Sequence, residues 1–249
     1  MDCSALHDPF PRVAVLARVA SNAEIAPGVF ELVIDRAIVP DGVHVEGGAV
    51  GLVSGHPEEK IPAPVAGQFF MLRARPSAVL LGRPISAYRA DETSITFLIL
   101  NKGAGSAELC ALRALDSLDL VGPIGNRFLS PEELSSSARS RGDEAIPENP
   151  RIAVIGGGIG VAPGAGFSLG LAEISFDFYA SFRSAPDGLE SVAHRAARLV
   201  VTTEDGSAGV KGMLPAVFDS AAYDLVYACG PTPMLRYVQK ACAESSPLR

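Results

Sequence analysis

Four short segments of this chain carry the residue types that let a backbone come close to an anion or a flat ring. The first is Gly156-Gly157-Gly158-Ile159-Gly160-Val161-Ala162-Pro163, directly after the strand-like run Arg151 to Ile155. Glycine turns sharply and has no Cβ to hold a ligand off. A helix starting just after the loop presents unpaired N–H groups and the positive end of its dipole, which suits a pyrophosphate. Pro163 costs nothing in a first helical turn. The spacing misses the strict dinucleotide fingerprint, because the third glycine counted from Gly156 or Gly158 falls on Val161 or Pro163. A tight strand-to-helix turn that binds nothing is the competing reading.

The second segment, Cys229-Gly230-Pro231-Thr232-Pro233-Met234, also stands between a strand-like run and a helical pattern. In parallel α/β sheets such strand ends line the ligand crevice; otherwise Cys229 is an ordinary buried thiol. The third is Arg83-Pro84-Ile85-Ser86. A guanidinium fixed beside a proline can meet a phosphate through its planar fork, and Ser86 can offer a hydroxyl to a ring nitrogen. The fourth, Asn101-Lys102-Gly103-Ala104-Gly105-Ser106, is a second glycine loop entering a helix, where Ser106 can cap and free amides can take a further phosphate.

The elements that must position these segments divide the chain of 249 residues in two. From Arg12 to Leu100 short strand patterns dominate: Arg12 to Ala20, Val29 to Ile34, Gln68 to Arg73, Ile85 to Tyr88 and Ser94 to Leu100. Residues 36–66 read as an inserted hairpin or loop, and Ser106 to Ala114 as a helix. Many short strands without a long helix predict a small antiparallel barrel. After Leu129 the composition turns polar, and a linker is expected over 131–150 between a barrel domain at 8–130 and a second domain at 151–249. There the strands Arg151–Ile155, Ser175–Ala180, Leu199–Thr202 and Leu225–Cys229 alternate with helices at Ala162–Ala172 and Pro233–Ala243. That alternation predicts a Rossmann-like parallel α/β sheet.

Composition narrows the function classes. A formal charge of -7 disfavours a nucleic-acid binder, and 6% aromatics with no Trp disfavours a base- or sugar-stacking platform. The apolar stretch Ile152 to Phe167 is broken by glycines and Pro163, so no membrane span is expected. The opening Met-Asp-Cys-Ser, with its first basic residue at Arg12, is not a secretory signal, which points to the cytoplasm. Cys3, Cys110, Cys229 and Cys242 show no CxxC spacing, and His7, His44, His56 and His194 are scattered as surface or loop residues rather than ligands.

Taken in order, the motifs resemble the ferredoxin-reductase superfamily, most closely the electron-transfer subunits of class B dihydroorotate dehydrogenases. The resemblance runs through Pro27-Gly28, Gly67-Gln68-Phe69, Arg83 to Ser86, Gly103 to Ser106 and Gly122-Pro123-Ile124-Gly125-Asn126. It continues through Gly156 to Pro163, Glu204-Asp205-Gly206-Ser207 with Lys211-Gly212, and Cys229-Gly230-Pro231. It implies a Greek-key barrel holding FAD and a Rossmann-like domain holding NAD(H). Arg83, Pro84, Ile85 and Ser86 would then cradle the flavin and its phosphate, Leu98, Ile99 and Leu100 would lie along the adjoining strand, and Gly105 and Ser106 would take the pyrophosphate. Gly156, Gly157, Gly158 and Gly160 would hold the nicotinamide dinucleotide's phosphates, with Cys229, Gly230 and Pro231 near the nicotinamide. Hydride would pass between the cofactors with no catalytic side chain.

The family also carries a C-terminal cysteine cluster for a [2Fe-2S] centre, which takes four closely spaced thiolates. Here only Cys242 follows Cys229, so the chain reads either as truncated or as a relative without the cluster. The implied partner is the catalytic subunit that oxidises dihydroorotate. Two other readings stay open: a stand-alone NAD(P)H reductase of ferredoxin or flavodoxin, and a redox-inactive nucleotide-binding module. Glu204-Asp205 either contacts a ribose hydroxyl or shapes a turn, with the turn favoured. Arg183 is placed to receive a 2′-phosphate, whereas the resemblance points to NAD.

Overall fold

The computed structural model describes residues 12–38, 43–46, 49–52, 60–141, 146–171, 174–184, 186 and 188–245. Cys3, His7 and His56, and parts of the inserted segment at 36–66 and of 129–150, lie outside them. The chain divides into two compact units, Met1–Arg127 and Phe128–Arg249.

The first unit opens with β1 (Val13–Ala26) and β2 (Val29–Asp35), followed by a separate antiparallel hairpin of β3 (Val43–Glu46) and β4 (Ala49–Leu52). Then come β5 (Phe69–Arg75), β6 (Arg83–Ala90), β7 (Ser94–Leu100), helix α1 (Ala104–Ala111) and β8 (Ser117–Ile124). Six strands close a barrel in the order β1-β2-β7-β6-β5-β8, with every neighbouring pair antiparallel. The non-sequential neighbours β2–β7 and β5–β8 give the expected Greek-key path. Period-2 patterning sets the interior: Val13, Val15, Ala17 and Val19 of β1 meet Phe70 and Leu72 of β5 and Ile95, Phe97 and Ile99 of β7. On the outer surface Asp119 of β8 binds Arg73 through both Nε and Nη2, and Arg75 through Nε.

Helix α1 contributes Leu109 and Cys110 to the barrel interior, and Leu112 follows them into it. It starts two residues before the expected Ser106 and stops at Ala111, because Leu112 takes an extended conformation (φ -60, ψ 147). Asn22, from the bulged end of β1, serves that terminus. Its Nδ2 donates to the carbonyls of Leu109 (3.0 Å), Cys110 (3.2 Å) and Leu112 (2.9 Å); the Leu109 carbonyl also accepts from the Leu112 N–H (3.3 Å), and Asn22 serves the other two carbonyls at this helix end. Burial pushes the Cys110 thiol up to about 11.

The second unit begins with α2 (Pro131–Arg141), inside the stretch expected to be linker. The polar composition belongs to a solvent-facing helix. Ser130 Oγ accepts from the Glu133 N–H (3.2 Å) while the Glu133 carboxylate accepts from the Ser130 N–H (2.8 Å), a reciprocal cap with Pro131 in the first turn. Next come β9 (Ile152–Gly157), α3 (Val161–Leu169), β10 (Phe176–Phe182), α4 (Glu190–Ala193) and β11 (Arg198–Thr203). They are followed by β12 (Val210–Lys211), β13 (Leu225–Cys229) and α5 (Thr232–Ser245). The sheet is parallel throughout, in the order β12-β11-β10-β9-β13. Gly164 of α3 lets that helix lie on Val154 and Phe178 of one sheet face. Val238 of α5 packs with Ala153, Ile155 and Tyr179 on the other, so the sheet is wound on both sides. No helix among the described residues is long and apolar enough to cross a membrane.

Asn22→Ala is expected to lower the stability of the barrel unit by about 1–3 kcal/mol in denaturant unfolding, since it strands carbonyls at a buried helix end. Asn22→Asp should cost more, because it sets a carboxylate against those oxygens and the negative end of the helix dipole.

Candidate functional site

Strand order makes the first candidate site. β9 has β10 on one side and β13 on the other, so the direction of winding reverses between β9 and β13. At such a switch point the connections leave in opposite directions and a crevice opens at the carboxyl ends of the strands. Gly156 pairs in register with Cys229, 73 residues on, which brings the two loops to one place. A Cβ on Gly160 would stand 2.5 Å from the Cys229 carbonyl oxygen. One on Gly157 would stand 2.7 Å from Met234 Sδ and 2.8 Å from Pro231 Cδ, and one on Gly230 would meet Gly157 backbone at 3.0 Å. Most of these glycines are therefore needed for the loops to interlock.

Gly158 differs. It adopts φ +52 with open space where a side chain would be, and Ile159 beside it is 42% exposed. Gly158 to Gly160 form one 3-10 turn, whose carbonyls already accept the Val161 N–H. Val161, Ala162 and Pro163 are buried. The ligand-accessible part of this loop is thus the Gly158-Ile159 backbone, rather than the first-turn amides of α3 that the sequence suggests. Cys229 is half-buried and burial raises its thiol, so it lines the crevice as a neutral group.

The second candidate site lies on the barrel. Arg83 opens β6, in register with Leu72, and its stem crosses the start of α1. A Cβ on Gly105 would come within 2.9 Å of Arg83 Cδ, so the missing side chain is what lets the arginine lie there. Nη2 donates to the Leu81 carbonyl (2.9 Å), while Nε is buried with no partner. A buried guanidinium N–H without an acceptor is costly unless a ligand supplies one. Ser106 is already engaged: its hydroxyl accepts from the N–H groups of Lys102 (2.9 Å) and Gly103 (3.0 Å) and donates to the Gly103 carbonyl. It shapes the loop and is not free for a phosphate in this arrangement.

Other expected residues separate by face. Ile99 points into the barrel core and Ile85 packs against it, so their side chains are turned away from any outer ligand. Pro84 and Ser86 alternate with Ile85, and Leu98 and Leu100 alternate with Ile99. Phe69 is in register with Ser86 and touches the Gly125 position. Phe69 and Met71 were not singled out as outer-face residues, although their alternation with core Phe70 and Leu72 carries that signal. Gln68 is buried and ties the segment inward through its Oε1 to the Val65 N–H.

The remaining candidates resolve simply. Asp205 Oδ1 accepts from the Ser207 N–H (2.9 Å), and bonds from Ser207 hold its carboxyl below the usual range. The turn reading of Glu204-Asp205 holds for Asp205. His194 is exposed beyond α4. A cavity of about 880 Å³ opens at the opposite, amino-terminal edge of the sheet, beside Arg139, Arg151, Asp177 and Arg198, and shares nothing with the glycine loops.

No protein-family model matches the chain. The electron-transfer subunit of dihydroorotate dehydrogenase B (NAD(+)) from Clostridium acetobutylicum is 36% identical over 180 residues, covering 72% of this chain and 67% of that protein. Its counterpart from Streptococcus mutans is 34% identical over 231 residues, covering 89% of this chain and 75% of that one. The chain belongs to this family of electron-transfer subunits. Among solved structures, a flavohemoglobin from Malassezia yamatoensis with bound FAD and heme superimposes with a TM-score of 0.66 at 19% identity. That match covers 94% of this chain and 57% of that one, and confirms the barrel-plus-sheet fold.

Two groups implied by family membership can be tested against the residues. The unpartnered Arg83 Nε, the bare Gly105 and the start of α1 fit the phosphates of a flavin dinucleotide. For an iron–sulfur centre, no three metal-ligating side chains gather among the described residues, and Cys110 is buried in the barrel.

Gly160→Ala is expected to destabilise the second unit by about 2–4 kcal/mol, as overpacking against backbone that cannot yield. Gly103→Ala, extended and in open space, should change stability by less than about 0.5 kcal/mol. Thermal unfolding of the two variants checks the contrast.

Proposed function

We propose that this family member binds FAD on its barrel and NAD(H) at the switch-point crevice, and passes electrons between NAD(H) and a catalytic subunit that oxidises dihydroorotate. The observation that carries the reading is the buried Arg83 Nε without an acceptor, beside a glycine that makes room for it. Family membership supplies the partner class.

Arg83 would hold the dinucleotide's phosphates through Nε and the remaining fork hydrogens, with Nη2 anchored on Leu81 so that the fork is already oriented. Ser106 keeps the Lys102-Gly103 loop folded back on α1 and so fixes where that helix begins. Pro84, Ser86, Leu98 and Leu100 would border the ring, and the Ser86 hydroxyl would be its hydrogen-bonding group. At the crevice, Gly158 and Ile159 would meet the pyrophosphate of NAD(H), while Cys229, Gly230 and Pro231 would flank the nicotinamide without ionising. Bound there, a flavin supplies a two-electron acceptor for the hydride of a dihydronicotinamide and a carrier that can release electrons singly. No protein acid or base is needed; the chain's work is alignment.

The purified protein should be yellow or become so on loading with FAD, and NADH should bleach the flavin band. Adding the dihydroorotate-oxidising subunit should couple orotate formation to NAD reduction. A colourless protein that cannot be loaded overturns the proposal. Arg83→Ala should weaken FAD binding roughly 10- to 100-fold, the value of a charge-assisted pair of about 1.5–3 kcal/mol. Gly105→Ala should also weaken it, by displacing the flexible Arg83 stem, with little change in melting temperature. Fluorescence titration of the apoprotein reads both.

A further inference from the structure

We propose that Glu108 of α1 is a positioning residue for flavin binding: it braces the loop between β5 and β6, whose Leu81 carbonyl holds the Arg83 fork. The inference rests on Arg83 being the phosphate-binding group. It adds what keeps that group aimed, a carboxylate that acts through the loop rather than on the arginine.

The loop has little apolar packing to hold it. Leu80 is 86% exposed and Leu81 66%, so burial of these side chains does not fix the backbone leading to Arg83. The β5–β6 ladder begins at Arg83, in register with Leu72, which leaves Leu81 outside it. Order comes from polar contacts instead. Glu108 Oε1 accepts from the Ala78 N–H (2.8 Å), and Oε2 accepts from the Ser77 hydroxyl. The Ser77 oxygen in turn accepts from the Val79 N–H (3.1 Å). Three consecutive residues thus hang on one carboxylate. Bonds from Ser77 and Ala78 hold the Glu108 carboxyl below the usual range, so it is ionised and its hydrogen bonds are charge-assisted. Two residues past Val79, the Leu81 carbonyl accepts from Arg83 Nη2 (2.9 Å).

Helix geometry ties the brace to the arginine. Gly105 and Glu108 are three residues apart and lie on one face of α1. Gly105 leaves room for the Arg83 stem, since a Cβ there would stand 2.9 Å from Cδ. One turn later Glu108 holds the loop that holds the fork. A single helix face therefore locates the arginine at its stem and at its tip. Because the guanidinium is planar, fixing Nη2 also fixes the direction of Nε, which is buried without an acceptor. Without the brace the Leu81 carbonyl would move with its loop. The fork could then swing to satisfy Nε elsewhere, and the cost of ordering it would fall on ligand binding.

Fluorescence titration of the apoprotein with FAD tests the brace. Glu108→Ala should weaken binding about tenfold, and Ser77→Ala, which removes one of the two contacts, about three- to fivefold. Glu108→Gln keeps an acceptor for the Ala78 N–H and should stay within about threefold of the unmodified chain. A merely structural role would give losses that add to that of Arg83→Ala. Here Glu108→Ala or Ser77→Ala, placed in an Arg83→Ala chain, should cost less than about twofold more, because the group they aim is gone. Should Glu108→Ala not fold, Ser77→Ala with and without Arg83 makes the same comparison. Binding by the folded single variants within about twofold of the unmodified chain, or losses that persist in full without Arg83, overturns the inference and leaves the Arg83 reading standing. If Arg83→Ala binds FAD as tightly as the unmodified chain, or the unmodified chain takes up none, the Arg83 reading falls and the inference with it.

Discussion

The second unit depends on two backbones passing closer than side chains would allow. Gly160 runs against the Cys229 carbonyl, and Gly157 against Pro231 and Met234. Parallel pairing of β9 with β13 sets the strand ends one spacing apart, and each end must then turn without colliding with the other. Removing Cβ atoms at Gly157, Gly160 and Gly230 is the steric solution. The same interlock leaves Gly158 and Ile159 as the exposed part of the loop. A loop that looks built for phosphate is therefore mostly built for packing, and only what that packing leaves exposed is open to a ligand.

The barrel solves a different problem. A guanidinium must be held in place without its hydrogen-bonding capacity being consumed. Leu81 takes one Nη2 hydrogen of Arg83, and the gap at Gly105 accepts its stem. Nε is left buried and unsatisfied, a cost carried by the folded chain and recovered when an acceptor arrives. Ser106 shows the opposite use of a polar group. Its hydroxyl is spent on Lys102 and Gly103, and rigidity of the loop is the return.

Much of this was legible in the sequence because hydrophobic period and glycine placement report local geometry directly. β7 runs over Ser94–Leu100 and β13 over Leu225–Cys229, as their apolar runs implied. β8 was passed over although Leu118 and Leu120 alternate, because Gly122-Pro123 reads as a turn when its antiparallel partners β1 and β5 are unknown. α2 was hidden by its polarity, yet Ser130-Pro131-Glu132-Glu133 spells a helix start. Which face a residue takes was the harder question. Ile85 and Ile99 stand within motifs expected to bind but are turned toward the core, Ile99 in register with Phe30 of β2 and Ile85 with Phe70 of β5.

Charge placement in the second unit separates the two edges of its sheet. At the amino-terminal edge Arg151 is held by Asp224 through Nε and Nη2. Arg198 there reaches Asp177, Tyr179 and Tyr223 together. Those cations are spoken for, and an incoming anion would have to displace a carboxylate already in contact. At the carboxyl edge Arg183 and Lys211 have no such partner among the described residues, while Asp205 is folded into its own turn. An anion arriving there gains contact without breaking one. In a chain whose formal charge is -7, keeping cations unpaired beside the glycine loops gives that edge a local attraction the molecule as a whole lacks.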